Sequence, residues 1–430
     1  MNYPIWDIPL LGGGLLIAGV AIVHVFISQF AVGGGLFLVL TEMKGYREGD
    51  PRIIEYTRFH SRFFVLLTLV LGALTGVGIW FTISLVQPAG TSTLIHTFVW
   101  IWALEWVFFA VEIAAALVYY YGWDRLDRRT HLTVGWIYFG AAWVSLFLVN
   151  GILSFMLTPG DWLETGNIQD AFFNASFFPS TFLRTFATVA LAGLYALVTA
   201  SLLRDENLRS KMIAYSARWL VPAFLLLPIG GLWYFAVIPQ DATDLAVGGA
   251  PVVTVFLLTS VALAALIFVY GVGAATLEPR RFSIGTALVL LAMGLAVVGS
   301  SEFVREAVRK PYIIYDYMYA NSIRVEDAAT IQARGALASS KWAKVSTVTP
   351  ENRIEAGKEV FRLLCSSCHT VDGYNAIRPF VKDWPEEYIY QQLGQLDVLK
   401  SVMPPFLGNE AERDALAAWL ATLGDQEQQP

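Results

Sequence analysis

The chain has 430 residues, of which 56% are hydrophobic and only 15% charged, and its formal net charge is -6. Soluble domains carry about 25% charged residues, so the deficit indicates a membrane protein, and the small negative charge argues against a nucleic-acid partner. Only two cysteines are present, Cys365 and Cys368, which excludes a disulfide framework and leaves local chemistry for the pair.

A helix needs about 20 apolar residues to cross a bilayer. Eight stretches qualify, roughly Leu11–Thr41, Phe63–Val86, His96–Tyr121, Leu132–Leu157, Phe182–Leu203, Trp219–Ile238, Val252–Ala275 and Ile284–Val304. The first Lys or Arg is Lys44. No basic n-region precedes the first stretch, which is therefore expected to stay as a span. Pro222 and Pro228 interrupt the sixth and predict a kink there.

The connections after spans 1, 3, 5 and 7 hold the basic residues, among them Lys44, Arg47, Arg125, Arg128, Arg204, Lys211 and Arg280. Those after spans 2, 4 and 6 hold none. The positive-inside rule then places both termini outside the cytoplasm. Residues 1–320 read as a membrane domain, 321–350 as a polar linker without apolar periodicity, and 351–430 as a small all-α domain. Residues Asp425 to Pro430 are expected to fray.

The segment Cys365-Ser366-Ser367-Cys368-His369 is a C-x-x-C-H motif. Such thiols bond haem vinyl groups and the histidine takes the iron, giving one covalent c-type haem. Zinc would need two further ligands, and the tail has no other Cys or His. A redox dithiol would not need His369. The second axial ligand is expected to be Met403, the only methionine in the tail, on a loop stiffened by Pro404 and Pro405. The alternative for Met403 is core filling. The tail resembles a class I mono-haem cytochrome c over its full length, including a closing helix at Ala411–Leu423.

Ionisable groups inside spans cost about 2.5–3.5 kcal/mol each on insertion scales, so each needs a reason. His24 lies near the middle of span 1. Glu105 and Glu112 lie seven residues apart in span 3, on nearly one face. Glu302 and Glu306 stack at one end of span 8 beside Arg305 and Arg309. Arg184 begins span 5 and Glu42 ends span 1. These groups suit either haem ligation, with arginines pairing propionates, or an interhelical salt-bridge network such as Glu302 or Glu306 with Arg305.

Several segments, in order, resemble subunit I of cytochrome bd-type quinol oxidases from about residue 10 to residue 321. They are His24 with Gly33–Glu42, Gly72–Phe81 (GALTGVGIWF), Phe108–Leu126 continuing to His131, and Phe303–Tyr312 (FVREAVRKPY). The resemblance implies an all-α polytopic bundle binding two haems of type b or d. It implies His24 and Glu306 as ligands of an oxygen-reducing haem pair, Arg309 beside that pair, and Glu112 near it. It implies Ser145 on a proton route, together with Glu105, which stands one residue out of the family's register. Which of the two haems takes His24 stays open. A second membrane subunit, or a related subunit I-like chain, is the implied partner within the lipid.

The departures from the family point one way. Arg184 stands where the family's low-spin haem b takes its histidine, and span 7 contains neither Met nor His. The long external quinol-binding loop is reduced to Pro239–Ala250. The ninth span is missing, and the cytochrome c domain follows span 8 instead. The expectation is a terminal oxygen reductase of the inner membrane. It would take electrons through its own c-type haem from a periplasmic donor such as a soluble cytochrome c. The tyrosines between Tyr312 and Tyr319 are read first as an interfacial belt and second as an electron path. The alternative function is an electron-transfer subunit without oxygen chemistry.

Overall fold

The computed structural model describes residues 2–425, so that most of the tail expected to fray, residues 426–430, lies outside the described residues. Among the described residues, eight helices are long and apolar enough to span a membrane: Gly12–Glu48, Pro51–Val86, Val99–Gly122, Arg128–Phe155, Phe177–Ser201, Glu206–Val237, Pro251–Leu277 and Ile284–Ala307. They are spans 1 to 8 below. The chain forms an all-α membrane bundle and a small helical C-terminal domain, apart from a two-stranded ribbon that pairs Tyr312–Ile314 with Met318–Tyr319.

Spans 2 and 6 begin earlier than hydropathy suggests. The extra segments, Pro51–Val65 and Glu206–Arg218, are rich in charge but helical. In the first, Ile53, Tyr56, Thr57, His60, Ser61 and Phe64 are buried, a spacing of three and four that places one face inward. Asp50 and Asp205 cap the two helices, accepting from the backbone N–H groups of Arg52 and of Asn207 and Leu208. In span 6 the helix breaks at Trp219, between Arg218 and Leu220, and Pro228 sits inside the second half.

The chain divides into two compact units. One comprises Ala21–Gly78 and Phe98–Val308. Span 5 is its most buried helix and packs against spans 4, 6 and 8. An aromatic core joins it to spans 1 and 2, with Phe30 stacked on Tyr195 at 4.0 Å and edge-on to Phe64 at 5.4 Å. Offset and edge contacts of this kind add about 0.5–1.5 kcal/mol each beyond the area they bury.

The other unit comprises Met1–Val20, Ile79–Thr97 and Arg309–Pro430. In its C-terminal part, helices Arg353–Leu364 and Glu410–Asp425 pack together, with Phe361 against Trp419 at 5.0 Å. Asn409 and Glu412 form a reciprocal capping box at the start of the last helix. The stretch 321–350, expected to be a linker, carries helices Ala328–Arg334 and Ala336–Ser339. It is held down by the buried Glu412 carboxylate, which accepts from the Ala336 and Leu337 N–H groups at 2.8 Å each, while Ile331 and Leu337 bury their side chains.

The N-terminal arm belongs to the same unit. The Tyr374 N–H donates to the Leu10 carbonyl at 2.8 Å, and Trp342 Nε1–H donates to the Asn2 carbonyl at 3.0 Å. Gly373 makes this approach possible, since a Cβ there would stand 2.0 Å from the Leu10 oxygen. Gln87, in the connection after span 2, donates to the Ala320 carbonyl at 2.8 Å and accepts from Ser322 at 3.0 Å.

Candidate functional site

The C-x-x-C-H motif follows directly on helix Arg353–Leu364. The N–H groups of Cys368 and His369 both donate to the Cys365 carbonyl, at 3.1 and 2.9 Å, winding the motif into a turn. The two cysteines are half-buried and not disulfide-bonded. Burial pushes the Cys365 thiol up to about 12, so the free side chain is a neutral thiol. Among the described residues no group of three His, Cys, Asp or Glu side chains converges as a metal cage.

His369 is held through one nitrogen. Its Nδ1 lies 3.1 Å from the Asn375 carbonyl, which can only accept. Nδ1 therefore carries the proton and Nε2 keeps its lone pair. Asn375 is fixed in turn by donating to the Cys368 carbonyl at 2.8 Å, and it tolerates the positive φ of 52° this requires. Burial lowers the His369 pKa and outweighs the Asn375 carbonyl, so the imidazole is neutral. Two thiols and a neutral, oriented imidazole fit a covalently bound haem. Met403 is half-buried, and its N–H closes a turn on the Lys400 carbonyl at 2.8 Å.

The same proton accounting separates the histidines of the spans. His24 is half-buried, with Nδ1 3.1 Å from Thr75 Oγ1 on span 2. Thr75 spends its one hydroxyl proton on the carbonyls of Leu71 at 2.7 Å and Gly72 at 3.1 Å. With its proton placed there, Thr75 accepts from His24, the tautomer that leaves His24 Nε2 with its lone pair. His131 differs. Nε2 faces the Tyr119 carbonyl at 2.9 Å, and Nδ1 faces both oxygens of the buried Glu42 at 2.9 and 3.0 Å. Both nitrogens are engaged, so His131 has no lone pair for iron. His60 bonds Thr199 through Nδ1 at 2.8 Å, but the rings of Phe30, Phe37, Tyr56 and Phe63 crowd round it at 5.0 to 6.2 Å.

The remaining expected residues fall into separate groups. Ser145 donates to Glu105 at 2.8 Å, which ties span 3 to span 4. Tyr138 donates toward Glu112 at 3.1 Å and toward the Ala31 carbonyl at 3.0 Å. Glu302 pairs with Arg305 at 2.8 Å and with Arg184 at 3.5 Å. Glu302 thus follows the salt-bridge alternative for these charges. Glu306 lies one turn further along span 8, half-buried. Arg309 opens the other unit, almost fully buried, with Nη1 donating to the Ile313 carbonyl at 3.3 Å. Tyr312 and Tyr319 stack at 5.1 Å across the ribbon. Two arrangements gave no sequence signal: the pairing of Thr75 with His24, and the meeting of Glu42, His131 and Tyr119 in one buried cluster.

These features define an integral membrane haemoprotein with a c-type haem domain at its C-terminus. Residues 15–236 match the family profile of cytochrome bd terminal oxidase subunit I, and residues 352–420 that of cytochrome c oxidase, cbb3-type, subunit III. The chain belongs to the cytochrome bd terminal oxidase subunit I family, with a cytochrome c domain fused behind it. Its fold is similar to that of the bd oxidase from Geobacillus thermodenitrificans, with a TM-score of 0.59 at 15% identity over 70% of this chain and 87% of that one. No curated protein matches by sequence. The protein is accordingly a membrane-bound oxidoreductase of respiratory electron transport that carries haem.

Proposed function

We propose that this chain is the catalytic subunit of an oxygen reductase whose electrons enter through its own c-type haem rather than from quinol. The observation that carries this reading is Arg184. Where the family holds a low-spin haem, the chain has a guanidinium paired with Glu302. The shortened connection Pro239–Ala250 and the absence of Met and His from span 7 support the same loss.

A c-type haem supplies one-electron transfer, and a pair of haems of type b or d supplies oxygen reduction. The chain's part is to hold and feed them. Cys365 and Cys368 would form the thioether bonds, and His369 and Met403 the axial pair. A His/Met pair raises the potential, as suits a carrier. His24 and Glu306 would ligate the membrane pair, with Arg309 beside it. Glu105, bonded to Ser145, and Glu112, bonded to Tyr138, would hold and pass protons. Residues 1–320, 321–350 and 351–430 would be the membrane domain, connection and cytochrome domain of a protein in the inner membrane, with both termini on the periplasmic side. A soluble cytochrome c would be the donor, and a second membrane subunit or subunit I-like chain the partner.

The test is a dithionite-reduced spectrum of the purified protein with and without CO. A CO-sensitive high-spin haem besides the c-type haem is expected. A spectrum of the c-type haem alone, with no CO response, would favour an electron-transfer subunit without oxygen chemistry.

A further inference from the structure

We infer that Thr75 is a positioning residue for His24, fixing the tautomer and ring plane in which Nε2 is offered to the haem iron. The inference rests on the reading of His24 as a ligand, and three independent features of span 2 lead to it.

The first is the hydrogen-bond chain already described. A threonine in a helix commonly donates back to the carbonyl four residues earlier, and Thr75 does so to Leu71 at 2.7 Å. That bond is ordinary, but its consequence here is not. It consumes the hydroxyl proton, so the Thr75 oxygen can face His24 Nδ1, at 3.1 Å, only as an acceptor. Ligand histidines in metal sites are typically held this way, by an acceptor on the ring nitrogen away from the metal.

The second is the space beside the ring. Gly76 follows Thr75, and a Cβ at that position would stand 3.1 Å from His24 Cε1 and 3.9 Å from Nε2. A larger residue would press on the edge of the imidazole that must face iron. The third is backbone geometry. Leu66–Gly72, immediately before these residues, is a π-helical turn inside span 2. One such turn inserts an extra residue and rotates everything after it by about a quarter turn, and such turns are frequent at functional sites. It sets the azimuth at which Thr75 and Gly76 meet span 1.

An acceptor on Nδ1–H makes the imidazole more electron-rich and favours ferric iron. Losing it should weaken haem retention by about 10–100-fold and move the midpoint potential of the His24 haem upward. The experiment compares Thr75→Val, Thr75→Ser and His24→Ala in the full-length protein. It measures haem b or d per c-type haem and the midpoint potential by spectroelectrochemistry. Thr75→Val should lose membrane haem on dilution or show a more positive potential, and Thr75→Ser should behave as the parent. Thermal melting of the helix signal reports that each variant has folded, and the c-type haem serves as the internal reference for the ratio. Thr75→Val with unchanged haem ratio and potential, while His24→Ala loses haem, would overturn the inference alone. Unchanged membrane haem in His24→Ala would overturn the ligand reading and the inference with it.

Discussion

Arg184 on span 5 and Glu302 on span 8 meet with Nη2 3.5 Å from Oε1, and the other oxygen of Glu302 is held by Arg305 at 2.8 Å. Two guanidinium groups thus share one carboxylate between spans, where a lone charge would be costly. Replacing Arg184 with Leu should leave the haem complement unchanged. It should destabilise the protein by less than the roughly 3–5 kcal/mol typical of a broken buried pair, because Arg305 remains. Haem-to-protein ratio and thermal melting check this. Loss of one haem in Arg184→Leu would mean that this corner still serves a cofactor.

The haem c domain offers a test by potential. Met403→Leu should keep the covalent haem, since the thioether bonds do not depend on it, and should lower the midpoint potential by removing the sulfur ligand. Cys365→Ser and His369→Ala should sharply reduce covalent haem on a denaturing gel. An unaltered potential in Met403→Leu would return Met403 to core filling.

The contact of the N-terminal arm with the loop after His369 depends on a missing side chain. In Gly373→Val the new Cβ would meet the Leu10 carbonyl at 2.0 Å. The arm must shift, at about 1–3 kcal/mol, and the Tyr374–Leu10 hydrogen bond should open. Hydrogen exchange at Tyr374 and proteolysis of residues 2–10 should both accelerate while the c-type haem stays attached. Unchanged protection would mean that the arm is fixed from elsewhere.

Acid should loosen the cytochrome domain. Burial alone would raise the pKa of Glu359, but Arg362 and the Lys344 N–H outweigh it and hold the carboxyl below its ordinary range. The Arg353 hydrogen bond does the same for Asp414, and the Arg378 hydrogen bond for Asp372. Depressed carboxylates stabilise the fold fully above their unfolded values, near 4, and the contribution fades as pH falls through the folded values. The melting temperature, followed at the haem c absorption, should be flat from about pH 7 to 5 and fall below about 4. Glu359→Gln should melt earlier at pH 7, by roughly 1–2 kcal/mol, and show a shallower acid limb.

Much of this architecture was legible in the sequence, because a bilayer demands uninterrupted apolar helices and lone charges stand out against them. The eight spans and the helical class follow from that alone. Helix ends were less legible. Pro51–Val65 reads as a charged loop until its buried stripe from Ile53 to Phe64 is seen. The stretch 321–350 has too few apolar residues for a period, and its anchor, Glu412, lies more than sixty residues away. The C-x-x-C-H motif was readable because its chemistry is local. Thr75 was not, because a hydrogen bond between residues 51 apart leaves no mark on periodicity. Glu105 shows the same limit. Its contact with Ser145, 40 residues on, joins two spans and could not be read from either one's periodicity.

Oxygen uptake by the purified protein tests the central claim most directly. Reduced soluble cytochrome c and a short-chain quinol would serve as alternative donors, with Cys365→Ser as the comparison. Uptake driven by cytochrome c, not by quinol, and abolished in Cys365→Ser is the predicted result. Uptake driven by quinol and unaffected in Cys365→Ser would contradict it.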